Sequence, residues 1–174
     1  SVNTYSFAAA EVMMPHVIGD FRNYTYNQTS WASVIANTKL FVAFGGAPLK
    51  NGQIGQGGVG RHIQRESILA AYENGVKFIS ISPLKSDMDD DVQAVWLPIR
   101  PNTDTALIIA LCYELMDRQL YDKNFLDRCT VGFDKFSAYL RGKHDGVAKT
   151  ADWAAAICDM PADDIRRLAD EMAT

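Results

Sequence analysis

Two short apolar runs, separated by a glycine-rich loop and a helix-forming stretch, constrain this chain more than any other feature. Residues 39–44 read Lys-Leu-Phe-Val-Ala-Phe and stop at Gly45-Gly46. A run that short, apolar on both faces and partly aromatic or β-branched, is the pattern of a buried parallel strand. Glycines at 45, 46, 52, 55, 57, 58 and 60 then mark a loop that is long for a strand-to-helix connection. Long ordered loops in compact domains are often functional. Residues 61–74 put Ile63, Ile68, Leu69 and Tyr72 on one side of a helix, and Asn74-Gly75 stops it. Residues 76–83, Val-Lys-Phe-Ile-Ser-Ile-Ser-Pro, form the second strand. Strand, loop, helix and strand make a βαβ unit, expected to be parallel and right-handed.

The third strand is predicted over residues 94–99, and it ends in a turn held by Pro98 and Pro101. Pro101 fixes its own φ and pushes Arg100 into an extended conformation, so the strand stops there. A long helix opens at once, from residue 103 to about 119. Asn102 or Thr103 is placed to cap it, and Asp104 brings a negative charge to its first turn. Local rules allow two readings of this turn: a stiff strand-to-helix junction, or a platform presenting Asn102, Thr103 and Asp104 to a ligand.

The flanking regions read as helical. Ser6 is placed to cap residues 7–14, Pro15 is expected to end or kink that helix, and Gly19 marks an exit. Ser30 caps a short helix closing near Asn37. Beyond Tyr121 the pattern is short helices: residues 123–128 behind Asp122, 133–141 ending at Gly142, 151–158 behind Thr150, and 162–172 behind Pro161. The predicted fold is α/β: a Rossmann-like three-layer parallel sheet with flanking helices and a helical C-terminal third. Residues 1–174 are read as a single α/β domain.

Composition narrows the function classes. The chain has 174 residues, is 48% hydrophobic and 22% charged, and carries a net charge of -4, which argues against a general nucleic-acid surface. Cys112, Cys129 and Cys158 show no CxxC or Cys/His spacing, so neither a zinc site nor a disulfide framework is indicated. Cys112 sits in an apolar helical run and reads as a buried small hydrophobe. No apolar run is long enough to span a membrane, and no signal peptide is visible. The acidic segment at residues 87–91 lacks the glycine and distal glutamate of an EF-hand and reads as a solvated loop. His16, His62 and His144 have no Ser or Asp partner at motif spacing and read as surface or packing residues.

In a parallel sheet the three strand ends share one edge. Gly45, Gly46, Ala47, Lys50 and Asn51 follow the first strand. Ser82, Pro83 and Lys85 follow the second, and Pro101, Asn102, Thr103 and Asp104 follow the third. Glycines after the first strand allow close approach of a phosphate, and the second strand's end is where such sheets meet ribose or base. Lys50 and Lys85 supply positive charge, and the Asp104 carboxylate suits the paired N–H donors of a guanine edge. No GxGxxG or GxxxxGK[ST] follows the first strand, which argues against ordinary NAD binding and a P-loop.

Beyond these local patterns, Trp96-Leu97-Pro98-Ile99-Arg100-Pro101-Asn102-Thr103-Asp104-Thr105-Ala106-Leu107 resembles the signature of molybdopterin-dependent oxidoreductases. Tyr5-Ser6-Phe7-Ala8-Ala9-Ala10-Glu11-Val12-Met13-Met14-Pro15-His16-Val17-Ile18-Gly19 resembles the dimethyl sulfoxide, trimethylamine N-oxide and biotin sulfoxide reductase branch. Asn27-Gln28-Thr29-Ser30-Trp31 and Lys149-Thr150-Ala151-Asp152-Trp153-Ala154 are similar to the same branch. The resemblance implies that Ser6 is the catalytic serine ligand to molybdenum, a hard oxygen suited to a high-valent metal. Without the resemblance Ser6 reads as a plain N-cap. It further implies the cofactor bis(molybdopterin guanine dinucleotide) with molybdenum, one dinucleotide being held by the three strand ends. Two positions differ from the family pattern: Ser82, where an acidic residue is common, and Ala47, where Asp is common.

The resemblance implies a bacterial S- or N-oxide reductase as parent. Its partners would be the remaining domains of that enzyme, a small S-oxide or N-oxide substrate and an electron donor, with no nucleic acid and no membrane span. Alone the chain is expected to be catalytically silent. The compartment is left open, with the periplasm favoured over the cytoplasm. The rival from another class is a free-standing nucleotide-binding or scaffold module without redox chemistry.

Overall fold

The two apolar runs pair as neighbouring parallel strands. In the computed structural model, residues 8–22, 27–52 and 62–173 are described. β1 (Leu40–Phe44) pairs with β2 (Lys77–Ile81), in register from Leu40 opposite Lys77 to Phe44 opposite Ile81. β3 (Val95–Leu97) lies parallel on the other side of β2, with Ile79 opposite Val95 and Ile81 opposite Leu97. The order β1-β2-β3 makes β2 central and leaves β1 on an edge. β1 is accordingly half-buried over most of its length, whereas β2 is buried from Phe78 to Ile81. The apolar run at 39–44 predicted a strand correctly but overstated its burial, because edge position is a property of pairing.

Alternation along the strands builds two cores. Ile79, Ile81 and Leu97, with Leu40 and Val42, face one layer of helices. Ala43 and Phe78, with Phe41, face the other. The first layer is α4 (Asp104–Asp117), α7 (Ala151–Cys158) and α8 (Ala162–Met172), through Leu107, Ala110, Leu111, Ala154, Ile165 and Leu168. The second is α2 (Trp31–Asn37) and α3 (Gln64–Glu73), through Ile35, Ile68 and Ala71. Phe41 bridges the second layer, its ring 5.2 Å from that of Phe78 and 6.1 Å from that of Trp31. Further helices are α1 (Ala8–Ile18), α5 (Lys123–Cys129) and α6 (Phe133–Leu140). The three-layer α/β architecture with a helical C-terminal part is the one expected from the sequence.

Helix ends follow local chemistry in most places. The Ser30, Asp122 and Thr150 side chains accept from the N–H groups of Ser33 (3.3 Å), Phe125 (2.9 Å) and Trp153 (3.2 Å), as N-caps do. Of the two outcomes expected at Pro15, an end is ruled out, since α1 runs on to Ile18. Proline removes a single N–H donor, and the helix stops only where Gly19 takes φ +84° and donates to the Pro15 carbonyl at 3.1 Å. An expectation fails at Cys112, which is half-buried, while Cys158 is the fully buried thiol. The start of the residue 61–74 helix is set at Gln64; Arg61 lies outside the described residues.

Two charged groups stitch the C-terminal helices. The Glu114 side chain on α4 is buried, and its Oε1 accepts from the Ala151 N–H at the mouth of α7 at 3.1 Å. Its Oε2 accepts from Arg118 at 2.9 Å, and Arg118 also reaches Asp170 of α8. Lys149 is buried at 3% exposure, between the rings of Tyr139 (5.0 Å) and Trp153 (5.3 Å), with its Nζ 2.5 Å from Asp145. That hydrogen bond, helped by the Val147 N–H, holds the Asp145 carboxyl below its ordinary range. Removing the Glu114 carboxylate orphans a helix-terminal N–H and an arginine together. Glu114→Ala should therefore cost about 3 kcal/mol of stability, and Glu114→Gln distinctly less, as read by urea denaturation.

Candidate functional site

Because the strands are parallel, the loops after β1, β2 and β3 emerge on one edge of the sheet. Gly45 (φ +84°) donates to the Ile81 carbonyl at 2.8 Å, prolonging the β1–β2 ladder by one rung. Gly46 (φ +72°) packs so closely on Asp87 that a Cβ there would overlap the Asp87 backbone carbonyl. Ala47 then donates to that carbonyl at 2.7 Å. Its own carbonyl accepts from the Gln64 side chain at 3.0 Å, tying the loop to the start of α3. The N–H groups of residues 45–47 are thus spent inside the protein. What the two glycines contribute is close approach of the backbone, and among the described residues no atom lies within 4 Å of where a Gly45 Cβ would stand.

Ser82, at the end of β2, is fully buried. Its Oγ donates to Asp87 Oδ2 at 2.5 Å and accepts from the Leu84 N–H at 3.3 Å. Its carbonyl accepts from the Trp96 indole at 2.9 Å. The Ser82 hydroxyl, singled out from sequence as a ligand contact, is therefore committed to its own loop. Pro83 and Lys85 stand exposed beyond it.

The third turn is built differently from the sequence expectation. Pro101 is followed by Asn102 at φ +65°, the order of a turn with a left-handed third residue. Thr103 occupies the N-cap position of α4, but its hydroxyl donates back to the Arg100 carbonyl at 2.7 Å and caps nothing. Neither Asn102 nor Thr103 makes a side-chain cap, because the left-handed residue turns the chain before the helix begins. The turn is clamped to the end of α7: the Arg100 N–H donates to the Cys158 carbonyl at 2.8 Å, and the Arg100 guanidinium to that of Ile157 at 3.1 Å. The Cys158 thiol donates to the Thr103 carbonyl at 3.4 Å. Burial raises that thiol's pKa.

Free charge at this edge is specific. Among the described residues, Lys50, Lys85 and Asp104 have no hydrogen-bond or ion-pair partner. Asp104 sits half-buried at the α4 N-terminus, where the helix dipole favours its charge. A cavity of about 460 Å³ lies between the first two loops, lined among others by Lys50, Arg65, Ser86 and Asp87. The acidic segment is solvated at Asp90 and Asp91, as expected of a charge run, but not throughout. Arg65 pairs with Asp89 at 2.9 Å and with Asp91, while Asp87 and Met88 pack inward. Ser6 lies outside the described residues, as do residues 53–61 of the glycine-rich loop. Among the described residues no cluster of His, Cys, Asp and Glu is placed to hold a metal.

The sequence profile of the Molybdopterin oxidoreductase family matches residues 1–161. The chain belongs to this family. It is similar to the dimethyl sulfoxide/trimethylamine N-oxide reductase of Cereibacter sphaeroides, 42% identical over 97% of this chain and 20% of that protein. It is also similar to the biotin sulfoxide reductase of the same organism, 41% identical over 98% of this chain and 23% of that protein. Among solved structures, the acetylene hydratase from Pelobacter acetylenicus aligns at a TM-score of 0.57 and 26% identity, covering 78% of this chain and 16% of that one. The chain thus spans about a fifth of the length of the curated relatives it matches.

Gln64, Arg65, Asp87 and the α7 end were not found from sequence. Their links to the edge run over |i−j| of 17, 26 and 57 for Gln64–Ala47, Arg65–Asp91 and Arg100–Ile157, which no local pattern shows. Only the Ser82–Asp87 spacing of 5 was local enough to notice. The thiols offer a check on this geometry. Burial raises the Cys112 and Cys158 pKa values, so less thiolate is present at neutral pH, while Cys129 is exposed. Cys129 alone should react rapidly with a thiol reagent at pH 7 to 8. Cys112 and Cys158 should follow only at higher pH or in urea; rapid labelling of Cys158 at pH 7 would mean the clamp on the third turn is open.

Proposed function

We propose that the carboxyl edge of this sheet holds one molybdopterin guanine dinucleotide of a bis(molybdopterin guanine dinucleotide) cofactor, and that Ser6 is the protein oxygen ligand to molybdenum. On this reading the chain is the dinucleotide-binding domain of a molybdenum S- or N-oxide reductase. Family membership and the names of the most similar relatives support the chemistry. The convergence on one sheet edge of Lys50, Lys85 and Asp104, whose side chains have no partner among the described residues, is the single structural observation that carries the site.

The residues present suit such a ligand. The two glycines let a phosphate approach the backbone, and Lys50 and Lys85 neutralise its charge from two adjacent loops. Since the amides of residues 45–47 are spent within the protein, these lysines carry more of the phosphate binding than a glycine loop with free amides would require. Asp104 accepts the paired N–H donors of a guanine edge, and Asn102 stands beside it on the exposed turn. Ser6, which lies outside the described residues, would supply a hard oxygen ligand suited to a high-valent metal. The bound cofactor supplies the two-electron chemistry by which a sulfoxide or amine N-oxide, with two protons and two electrons, becomes a sulfide or amine and water. The chain's own residues bind and orient; the substrate funnel, the electron donor and the rest of the enclosure belong to the remaining domains of the parent.

The test is the full-length parent expressed with molybdate. Purified protein should contain molybdenum, and acid hydrolysis should release GMP. Ser6→Ala should abolish or sharply reduce oxide reduction and change the molybdenum spectroscopic signature while GMP content stays near wild type. Asp104→Asn should lower GMP retention by about tenfold, the scale of one charge-assisted hydrogen bond. Protein free of both molybdenum and GMP would sink the reading.

A further inference from the structure

Ser82 ends β2, the position where open α/β sheets place the group that meets a ribose, yet its hydroxyl is buried and both its donor and an acceptor lone pair are used within its own loop. The group it points to is Asp87. We propose that Asp87, and not Ser82, is the residue that accepts a ribose hydroxyl of the bound dinucleotide, with Ser82 as the positioning residue that aims its carboxylate; this rests on the dinucleotide reading above.

The position of Asp87 is unusually well determined for a loop acid. Its Oδ2 accepts from Ser82 Oγ at 2.5 Å. Its N–H donates to the Leu84 carbonyl at 3.2 Å, and its own carbonyl accepts from Ala47 at 2.7 Å. The missing Cβ at Gly46 is what lets it approach the first loop this closely. Asp87 therefore stands at the seam between the ends of β1 and β2 and lines the cavity there with Lys50 and Ser86. Its neighbours in the acidic segment are used otherwise: Asp89 and Asp91 are paired with Arg65, and Asp90 is exposed and lacks any such anchor. Among the described residues no lysine or arginine pairs with Asp87. A carboxylate offers about four lone-pair sites, and the single bond from Ser82 leaves most of them to a ligand. A hydroxyl donor fits this site, since a ligand phosphate would be repelled by the same charge, and Lys50, which lines the same cavity, is the group to take the phosphate.

The experiment uses the full-length parent with its cofactor. The variants are Asp87→Asn, Ser82→Ala and the double variant. For each, the rate of GMP-containing cofactor release in mild denaturant is measured, together with the melting temperature of the cofactor-free form. Asp87→Asn should speed release about 10- to 100-fold, and Ser82→Ala by a smaller factor, since the carboxylate remains but is no longer aimed. In the double variant, loss of Ser82 should add nothing to Asp87→Asn, because the serine acts only through the acid. Melting temperatures of the cofactor-free forms should stay within a few degrees of the unmodified protein. Unchanged release in both single variants would overturn the proposal. So would additive effects, or release that rises only in step with a falling melting temperature, for then the pair merely stitches two loops. A wild-type enzyme without GMP would instead overturn the dinucleotide reading itself, before any variant is compared.

Discussion

Burial of β2 on both faces is the constraint on which the rest of the structure depends. Phe78 and Ile79 point to opposite sides and both are nearly inaccessible, at 1% and 2% exposure. A strand in that position needs a helix layer on each face. α2 and α3 meet Phe78, while α4, α7 and α8 meet Ile79 and Ile81. Its parallel partners on both edges then send three loops to the same end. The candidate site is therefore a consequence of how one short strand is covered, and its position needed no catalytic residue to specify it.

Within that frame the loops are held by backbone contacts between elements more than by their own turn chemistry. Ala47 to Asp87, Gly45 to Ile81 and Arg100 to Cys158 are each single hydrogen bonds of 2.7–2.8 Å between segments remote in sequence. The first two use up amides at the start of the glycine-rich loop. On the proposed reading, recognition would pass to side chains: lysines on the first two loops, carboxylates at Asp87 and Asp104. A site of this kind grips by charge and aimed acceptors, and its affinity depends on desolvation of those charges when the ligand closes over them.

The C-terminal helices take part in this arrangement. α7 and α8 complete the core under the sheet, and the last turn of α7 also clamps the third loop through Ile157 and Cys158. Glu114 and Arg118 lock α4 to both. Packing in the C-terminal third is thereby coupled to the orientation of Asn102 and Asp104, so a core change there propagates to the edge that carries the candidate site.

By itself the sequence determined the elements and their order. Continuous apolar runs, Ser30, Asp122 and Thr150 as caps, and Gly75 as a stop act over a few residues, so local physics suffices to read them. The family was legible for the same reason, in runs around Ser6 and Asp104. The tertiary structure alone decided which strand is central, that Ser82 is buried against Asp87, that Thr103 turns away from its helix, and that the acidic segment is paired to Arg65. Each of these depends on which groups compete for a donor or for burial once distant segments meet, and that competition does not exist until the sheet has formed.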